Sequence, residues 1–281
     1  MTVENTCNLL GYTRQNYYKH LKVVDKSVDK KQVLSLVHTI RKKMPRLGTR
    51  KLYSLLSPEI RGTGIKCGRD KLFMLLKEHD LLIIPRKRYV QTTMSRHWLR
   101  KHPNTYKNLK LTKPEQAWVT DITYIKTDEG NCYLTLITDA YSRKIMGYNL
   151  ADNMTAEESV KALKMAIKSR RYKNTIIHHS DRGLQFCSKE YVGMAEKNKI
   201  IMSMTEKYDP YENALAERMN RIIKEEFYLD GKLKNKTQVQ LIVKESVDIY
   251  NTLRPHLSLN FKTPENIHKN PHQNLLVGNI F

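Results

Sequence analysis

Residues 176–183 read Ile-Ile-His-His-Ser-Asp-Arg-Gly. Two β-branched residues lead into polar ones, then an acid, then a glycine two positions on. This is the pattern of a short strand running out into a turn. Asp181 then has two readings. Its short side chain can accept from nearby backbone N–H groups and shape the turn. It can also present a carboxylate at the carboxyl end of a strand, where α/β folds place their chemistry. The stretch alone leaves both open.

The flanking sequence supplies the rest of a sheet. Residues 117–125 (AWVTDITYI) read as a first strand, 131–138 (NCYLTLIT, after the turn DEGN) as a second and 145–150 as a third. A helix follows at 155–169, with Ala156, Val160, Leu163 and Ile167 on one side. The fourth strand is 175–178, ending at Asp181. A helix at 188–198 and a fifth strand at 200–204 complete the pattern. Three strands in hairpin order, then helix–strand–helix–strand, describe a mixed five-stranded sheet flanked by helices. In such a sheet the first and fourth strands can be neighbours. That would bring Asp181 to Asp121, which lies inside the first strand among Trp118, Val119, Ile122 and Tyr124. Aspartate is depleted in strands, and a buried carboxylate is costly unless something such as a cation offsets it.

A third acid comes from residues 209–227, DPYENALAERMNRIIKEEF. Asp209 suits a helix cap, Pro210 the first helical position and Glu212 a capping box. At 100° per residue Leu215, Met219, Ile222 and Ile223 share one side. Asn213, Glu217, Asn220 and Lys224 share the other. On an isolated helix that polar side is a solvated face.

Charge is uneven along the 281 residues. Net charge is +22, and residues 1–113 carry 26 Lys+Arg against 7 Asp+Glu, leaving 24 against 21 for the remainder. So basic a front points to an anionic polymer, nucleic acid first. An anionic membrane is the weaker alternative, because no apolar run approaches 18 residues. The N-terminus lacks a basic start followed by an apolar stretch, so no signal peptide is expected and the location is cytoplasmic. Cys7, Cys67, Cys132 and Cys187 form no C-x-x-C and read as reduced thiols, with no zinc site.

Residues 1–84 are expected to be a basic helical region. Helices at 33–41, 50–56 and 69–78, with the glycine-bearing turn RGTGIKCG, suggest a helix-turn-helix-like DNA reader. Arg50, Lys51, Arg69 and Lys71 would contact DNA there. Residues 85–113 read as a basic linker, in which Arg86, Lys87 and Arg88 would grip phosphates and Tyr89, His97, Trp98 and Tyr106 would stack on bases. A solvated bundle and tether is the bland alternative to both.

Several motifs in fixed order resemble the DDE transposases and retroviral-type integrases, specifically the OrfB product of IS3-family insertion sequences. They are WVTDITYI, HHSDRGLQFCS, ENALAERMNRIIKEE, and YNTLRPHLSL followed by KTPE. The segment LGTRKLYSLL is similar to the family's helix-turn-helix region. The resemblance implies a ribonuclease H-like fold, with the catalytic core at 114–230 and a C-terminal helical extension at 231–281. It makes Asp121, Asp181 and Glu217 the catalytic, metal-binding acids, and 35 residues separate the last two. It places Lys224 on DNA near the cleaved end. Carboxylate oxygens suit Mg²⁺, with Mn²⁺ able to substitute. Two such ions would support in-line phosphoryl transfer that frees a 3′-OH at the element's end and then joins strands. The partners implied are insertion-sequence ends and target DNA, a second copy of the chain, and the upstream OrfA product, for which this chain begins too close to its own motifs. Cytoplasmic, nucleoid-associated action in a bacterium follows. The zinc-binding His-His-Cys-Cys module of retroviral integrases has no counterpart here.

Asp139, His178 and His179 read as structural, and Asp209 and Glu212 as helix caps. Arg254 and His256 resemble a family motif but have no assigned chemical step. A DNA-binding regulator without catalysis and a general ribonuclease H-like nuclease are the competing functions.

Overall fold

Five strands form one sheet in the order β3-β2-β1-β4-β5 in the computed structural model, which describes residues 2–84, 99–206 and 210–271. β1 (Ala117–Thr127), β2 (Gly130–Asp139) and β3 (Ile145–Ala151) are antiparallel neighbours. β4 (Ile176–Ser180) runs parallel to β1, with Trp118 opposite His178, and β5 (Ile200–Met204) runs parallel to β4. The order places the first and fourth strands side by side at the centre. This is the mixed, ribonuclease H-like sheet expected from the sequence.

Alternation along β1 sorts the two faces. Trp118 points to a core shared with α5 (Ala156–Lys168), α6 (Leu184–Cys187) and α7 (Lys189–Lys197), where Leu163, Ala166, Phe186, Tyr191 and Ala195 are buried. Gly147 lets α5 sit directly on β3: an added Cβ would lie 2.3 Å from Ala162 O. Ala117 and Val119 point to the opposite face, packed under Ala216 and Leu215 of α8 (Ala214–Glu226). Asp121 follows at the same parity, so it too faces α8. α9 (Lys236–Thr252) supplies Asn251, whose Oδ1 accepts from Ile145 N at 2.9 Å and whose Nδ2 donates to Ile145 O at 3.0 Å. α10 is Pro264–Lys269.

The segment after residue 98 is not a free tether. Tyr106, Leu109 and Leu111 pack on the α8 face of the sheet. Thr105 and Tyr106 both donate their backbone N–H to Ser203 Oγ. The Tyr106 ring stacks on His179 at 4.9 Å. The expectation that Tyr106 offers a platform to bases is therefore corrected, because core packing already uses its face. Arg86, Lys87, Arg88, Tyr89, His97, Trp98 and Asp209 lie outside the described residues.

The chain divides into two compact units, Met1–Lys43 with Leu47–Ile84, and Met44–Arg46 with Pro85–Phe281. Residues 231–271 thus share a unit with the sheet. The first unit is helical: α1 (Val3–Leu9), α2 (Arg14–Lys43), α3 (Thr49–Gly62) and α4 (Arg69–Glu78). Val33, Val37, Leu52, Leu56, Ile60, Leu72 and Leu76 make its core. Pro58 lies inside α3, and Ser57 Oγ donates to Ser54 O, the carbonyl that Pro58 has no N–H to bond. Among the described residues no helix is long and apolar enough to cross a membrane, and all four cysteines are free.

Candidate active site

Asp121 is half-buried in the middle of β1, facing α8. Its Oδ1 accepts from Ile122 N at 2.9 Å, and its Oδ2 from Asn220 Nδ2 at 2.9 Å. Burial first, and then the negative charge of Asp181, push its carboxyl up to about 8; Glu217 adds a smaller push in the same direction. Asp181 leaves β4 one residue after its end, and its Oδ1 accepts from Gly183 N at 3.0 Å. The turn role read in the sequence is real, and it occupies one carboxylate oxygen.

Glu217 rides on the first turn of α8 and is exposed. Its carboxyl is also held above the ordinary value, by burial and by Asp181, while Arg221 opposes the shift. Asp181 therefore acts on both other acids. Among the described residues, however, no three His, Cys, Asp or Glu side chains converge closely enough to hold a metal ion as they stand. The fold sets Asp121 in β1 and Asp181 just past the end of the adjacent parallel strand β4, and the charge of Asp181 is felt at both Asp121 and Glu217 of α8.

The polar side of α8 is not the solvated face of an isolated helix. Asn213 and Asn220 are each 5% exposed. Lys224 Nζ donates to Tyr124 O at 2.7 Å and to Thr123 Oγ1 at 3.2 Å, and lies 4.7 Å from the Tyr124 ring centroid. The helix begins at Ala214, after a 3₁₀ turn at Pro210–Asn213. Its N-cap is Asn213, without a side-chain cap bond. Glu212 Oε2 accepts from Glu206 N, and the capping partner expected for it, Asp209, lies outside the described residues.

The remaining polar residues sort as architecture. His178 Nε2 lies 2.7 Å from Tyr191 Oη, and burial pulls its imidazole down to about 3. His179 bridges Ser203 Oγ and Glu212 O, and burial pulls it to about 4. Both are neutral at physiological pH. Asp139 is buried and accepts from Glu115 N and from Ser142 N and Oγ. His268 closes that cluster, bonding Ser142 Oγ at 2.9 Å and Glu115 Oε1 at 3.2 Å. Arg254 makes a two-bond fork to Glu226, each arm 2.7 Å, and contacts His256 Nε2. This pair gains a role the sequence did not give it, fixing the C-terminal end of α8. In the first unit Arg50, Arg69 and Lys71 are exposed and Lys51 is half-buried. Arg69 pairs with Asp70, and Lys71 Nζ donates to Lys66 O.

Sequence reading placed Asn213 and Asn220 on the polar side of the helix without a role, and it passed over Glu115 and His268. The first two carried a signal, being uncharged amides seven apart on a helix face otherwise made of charges.

A mixed five-stranded sheet in the order β3-β2-β1-β4-β5, flanked by helices, defines an integrase-type ribonuclease H-like core. Two models of the integrase core domain match residues 112–210 and 198–264. The chain is 33% identical over 274 residues to the insertion element IS600 uncharacterized 31 kDa protein of Shigella sonnei, spanning 95% of this chain and 98% of that one. It is 30% identical over 207 residues to the transposase for insertion sequence element IS629 of Shigella sonnei, covering 74% and 68%. Over 113 residues it is 38% identical to transposase InsF for insertion sequence IS3A of Escherichia coli (strain K12), covering 40% and 39%. The HTLV-2 integrase catalytic core domain in complex with magnesium matches at 22% identity with a TM-score of 0.44, over 56% of this chain and 97% of that one. The chain belongs to the IS3 family of DDE transposases.

Proposed function

We propose that this chain cuts and rejoins DNA at the ends of its insertion sequence, with Asp121, Asp181 and Glu217 as the catalytic acids. The observation that carries the reading is the placement of Asp121 in β1 and Asp181 just past the end of the adjacent parallel strand β4, with the negative charge of Asp181 acting on Asp121 and on Glu217 of α8. Such crowding of anions is what a divalent cation offsets, and an all-carboxylate donor set suits Mg²⁺ or Mn²⁺. Two bound ions would supply Lewis-acid activation of the attacking oxygen and stabilisation of the leaving one. Asp121 and Asp181 would hold the metal from the sheet side, and Glu217 would complete the set once its exposed side chain turned inward. Asp181 keeps its bond to Gly183 throughout, which fixes the carboxylate plane. The attacking group is water in the first step and the freed 3′-OH in the second, so no side chain forms a bond to DNA.

The neutral His178 and His179 hold the end of β4 and take no proton in this scheme. Lys224 reaches a DNA phosphate by exchanging its bonds to Thr123 and Tyr124. Arg50, Lys51, Arg69 and Lys71 bind the backbone of the element's end, and a second copy of the chain brings the other end. The upstream OrfA product is the partner that contributes end recognition. Cytoplasmic action on the nucleoid follows from the substrate.

The test uses purified protein, a labelled end fragment of its element, and Mg²⁺, Mn²⁺ or EDTA. Metal-dependent nicking at the end is expected, and Asp181→Asn should lose it while still binding the fragment. Binding that survives together with undiminished nicking in Asp181→Asn would remove Asp181 from the catalytic set. Binding without nicking in the unsubstituted chain, even with OrfA added, would favour a DNA-binding regulator.

A further inference from the structure

Three side chains on the polar side of α8 bond in order along β1. Asn213 Nδ2 donates to Thr120 O at 3.1 Å, Asn220 Nδ2 to Asp121 Oδ2 at 2.9 Å, and Lys224 Nζ to Thr123 Oγ1 and Tyr124 O. The donors are spaced seven and four apart, which keeps them on one stripe of the helix. Glu217 stands on the same stripe, between the two asparagines. The stripe therefore sets both the height and the rotation at which the helix presents Glu217 to the sheet. Asn220 does more than anchor the helix, because its acceptor is the carboxylate itself. Its own Oδ1 is buried with no hydrogen-bond partner among the described residues.

We propose that Asn220 is a positioning residue for the metal-binding carboxylate: its Nδ2 fixes Oδ2 of Asp121, and its buried Oδ1 accepts a hydrogen bond from the hydration shell of the divalent cation. Each carboxylate oxygen has two lone pairs, so the bonds from Ile122 N and Asn220 Nδ2 leave one on each oxygen for the metal. A hydrogen bond of this kind orients the ligand without touching the ion, and hydrated Mg²⁺ keeps several waters that need acceptors. The inference rests on the reading of Asp121 and Asp181 as ligands.

The experiment titrates Mn²⁺ into the full chain, reads free Mn²⁺ by paramagnetic resonance, and records the metal-free unfolding midpoint alongside. Asn220→Ala should weaken Mn²⁺ binding roughly 10–100-fold, the usual loss when such a partner of a ligand is removed. Nicking should return at high Mn²⁺. Asn220→Leu keeps a similar volume but removes both the donor and the acceptor without adding charge, and it should weaken binding at least as much; it also carries the test if Asn220→Ala fails to fold. A lowered midpoint with unchanged Mn²⁺ affinity in both variants would make Asn220 mere packing and overturn the proposal. Asp181→Asn separates the two levels. If it abolishes Mn²⁺ binding while the Asn220 variants bind normally, only the positioning role falls. If it binds Mn²⁺ normally, the ligand reading falls and this inference with it.

Discussion

At Asp121 burial and a neighbouring negative charge act on one carboxyl in the same direction. An unfolded aspartate titrates near ~3.9, whereas in the fold this carboxyl is pushed up to about 8 by burial and by Asp181. Between those two values the folded, metal-free chain binds more protons than the unfolded one. Stability contributed by neutral Asp121 is therefore fully present near pH 4 and is lost as pH rises toward 8. The slope stays below the limiting ~1.4 kcal/mol per pH unit, because the side chain is only half-buried. Asp121→Asn installs a permanently neutral isostere and should flatten this part of the profile. Urea unfolding of both proteins in EDTA from pH 4 to pH 9 measures it. The gap between them should widen in favour of the variant as pH rises, and parallel curves would mean that the charge is not strained. Metal binding runs the opposite way, since the ligand must be deprotonated, so apparent Mn²⁺ affinity should climb through the same window.

At the scale of elements, the packing of α5 on β3 gives a test with two signs. An added Cβ at Gly147 would meet Ala162 O at 2.3 Å and Ala166 N at 2.6 Å, both backbone atoms, so the whole helix would have to lift. Gly147→Ala should destabilise by about 1–3 kcal/mol, the range for overpacking. Gly193, inside α7, has nothing within 4 Å of such a Cβ. There alanine gains helix propensity, and Gly193→Ala should stabilise by about 0.5–1 kcal/mol. Thermal unfolding of the two variants reads both signs, and a loss in each would refute the close-approach argument. The strands were legible because short apolar, β-branched runs bounded by turn residues mark them, although the sheet also buries polar residues such as Thr120, His178 and Ser203. β5 matches its expected span, and β1 runs two residues past the expected end, into the turn at Gly130. α2 was legible only at 33–41, the part with an apolar stripe. Its remaining turns belong to a 30-residue helix with no marked apolar face. The start of α8 was misplaced because capping chemistry suggested Asp209 to Glu212. The segment Pro210–Asn213 folds instead as a 3₁₀ turn, and Asn213 bonds Thr120 where the α-helix begins. Residue type and placement made Asp121, Asp181 and Glu217 candidates, and only the family resemblance named them as a set, whereas the part-buried bonds of Asn220 and Lys224 exist only once α8 lies on β1.

For the whole molecule the governing quantity is where the charge lies. The excess of Lys and Arg is concentrated before residue 114, while the part holding the acids is nearly balanced. That division lets DNA binding and metal-dependent chemistry be perturbed separately. Binding through phosphates releases counterions, so log K falls linearly with log salt, by about 0.9 for each duplex phosphate neutralised. Replacing Arg50, Lys51, Arg69 and Lys71 together by alanine in the full chain should weaken binding of an end fragment. It should also reduce the salt slope by about 0.9 for each phosphate that the variant no longer neutralises. The Arg69–Asp70 and Lys71–Lys66 bonds are exposed and weak, so removing them should scarcely move the unfolding midpoint. Fluorescence anisotropy across a salt series, with Asp181→Asn as comparator, decides it. The comparator alters a single acid outside this basic region and should keep the parent slope. If the fourfold variant also kept that slope, the basic helices would be a solvated surface, and the phosphates would have to be gripped from elsewhere in the chain.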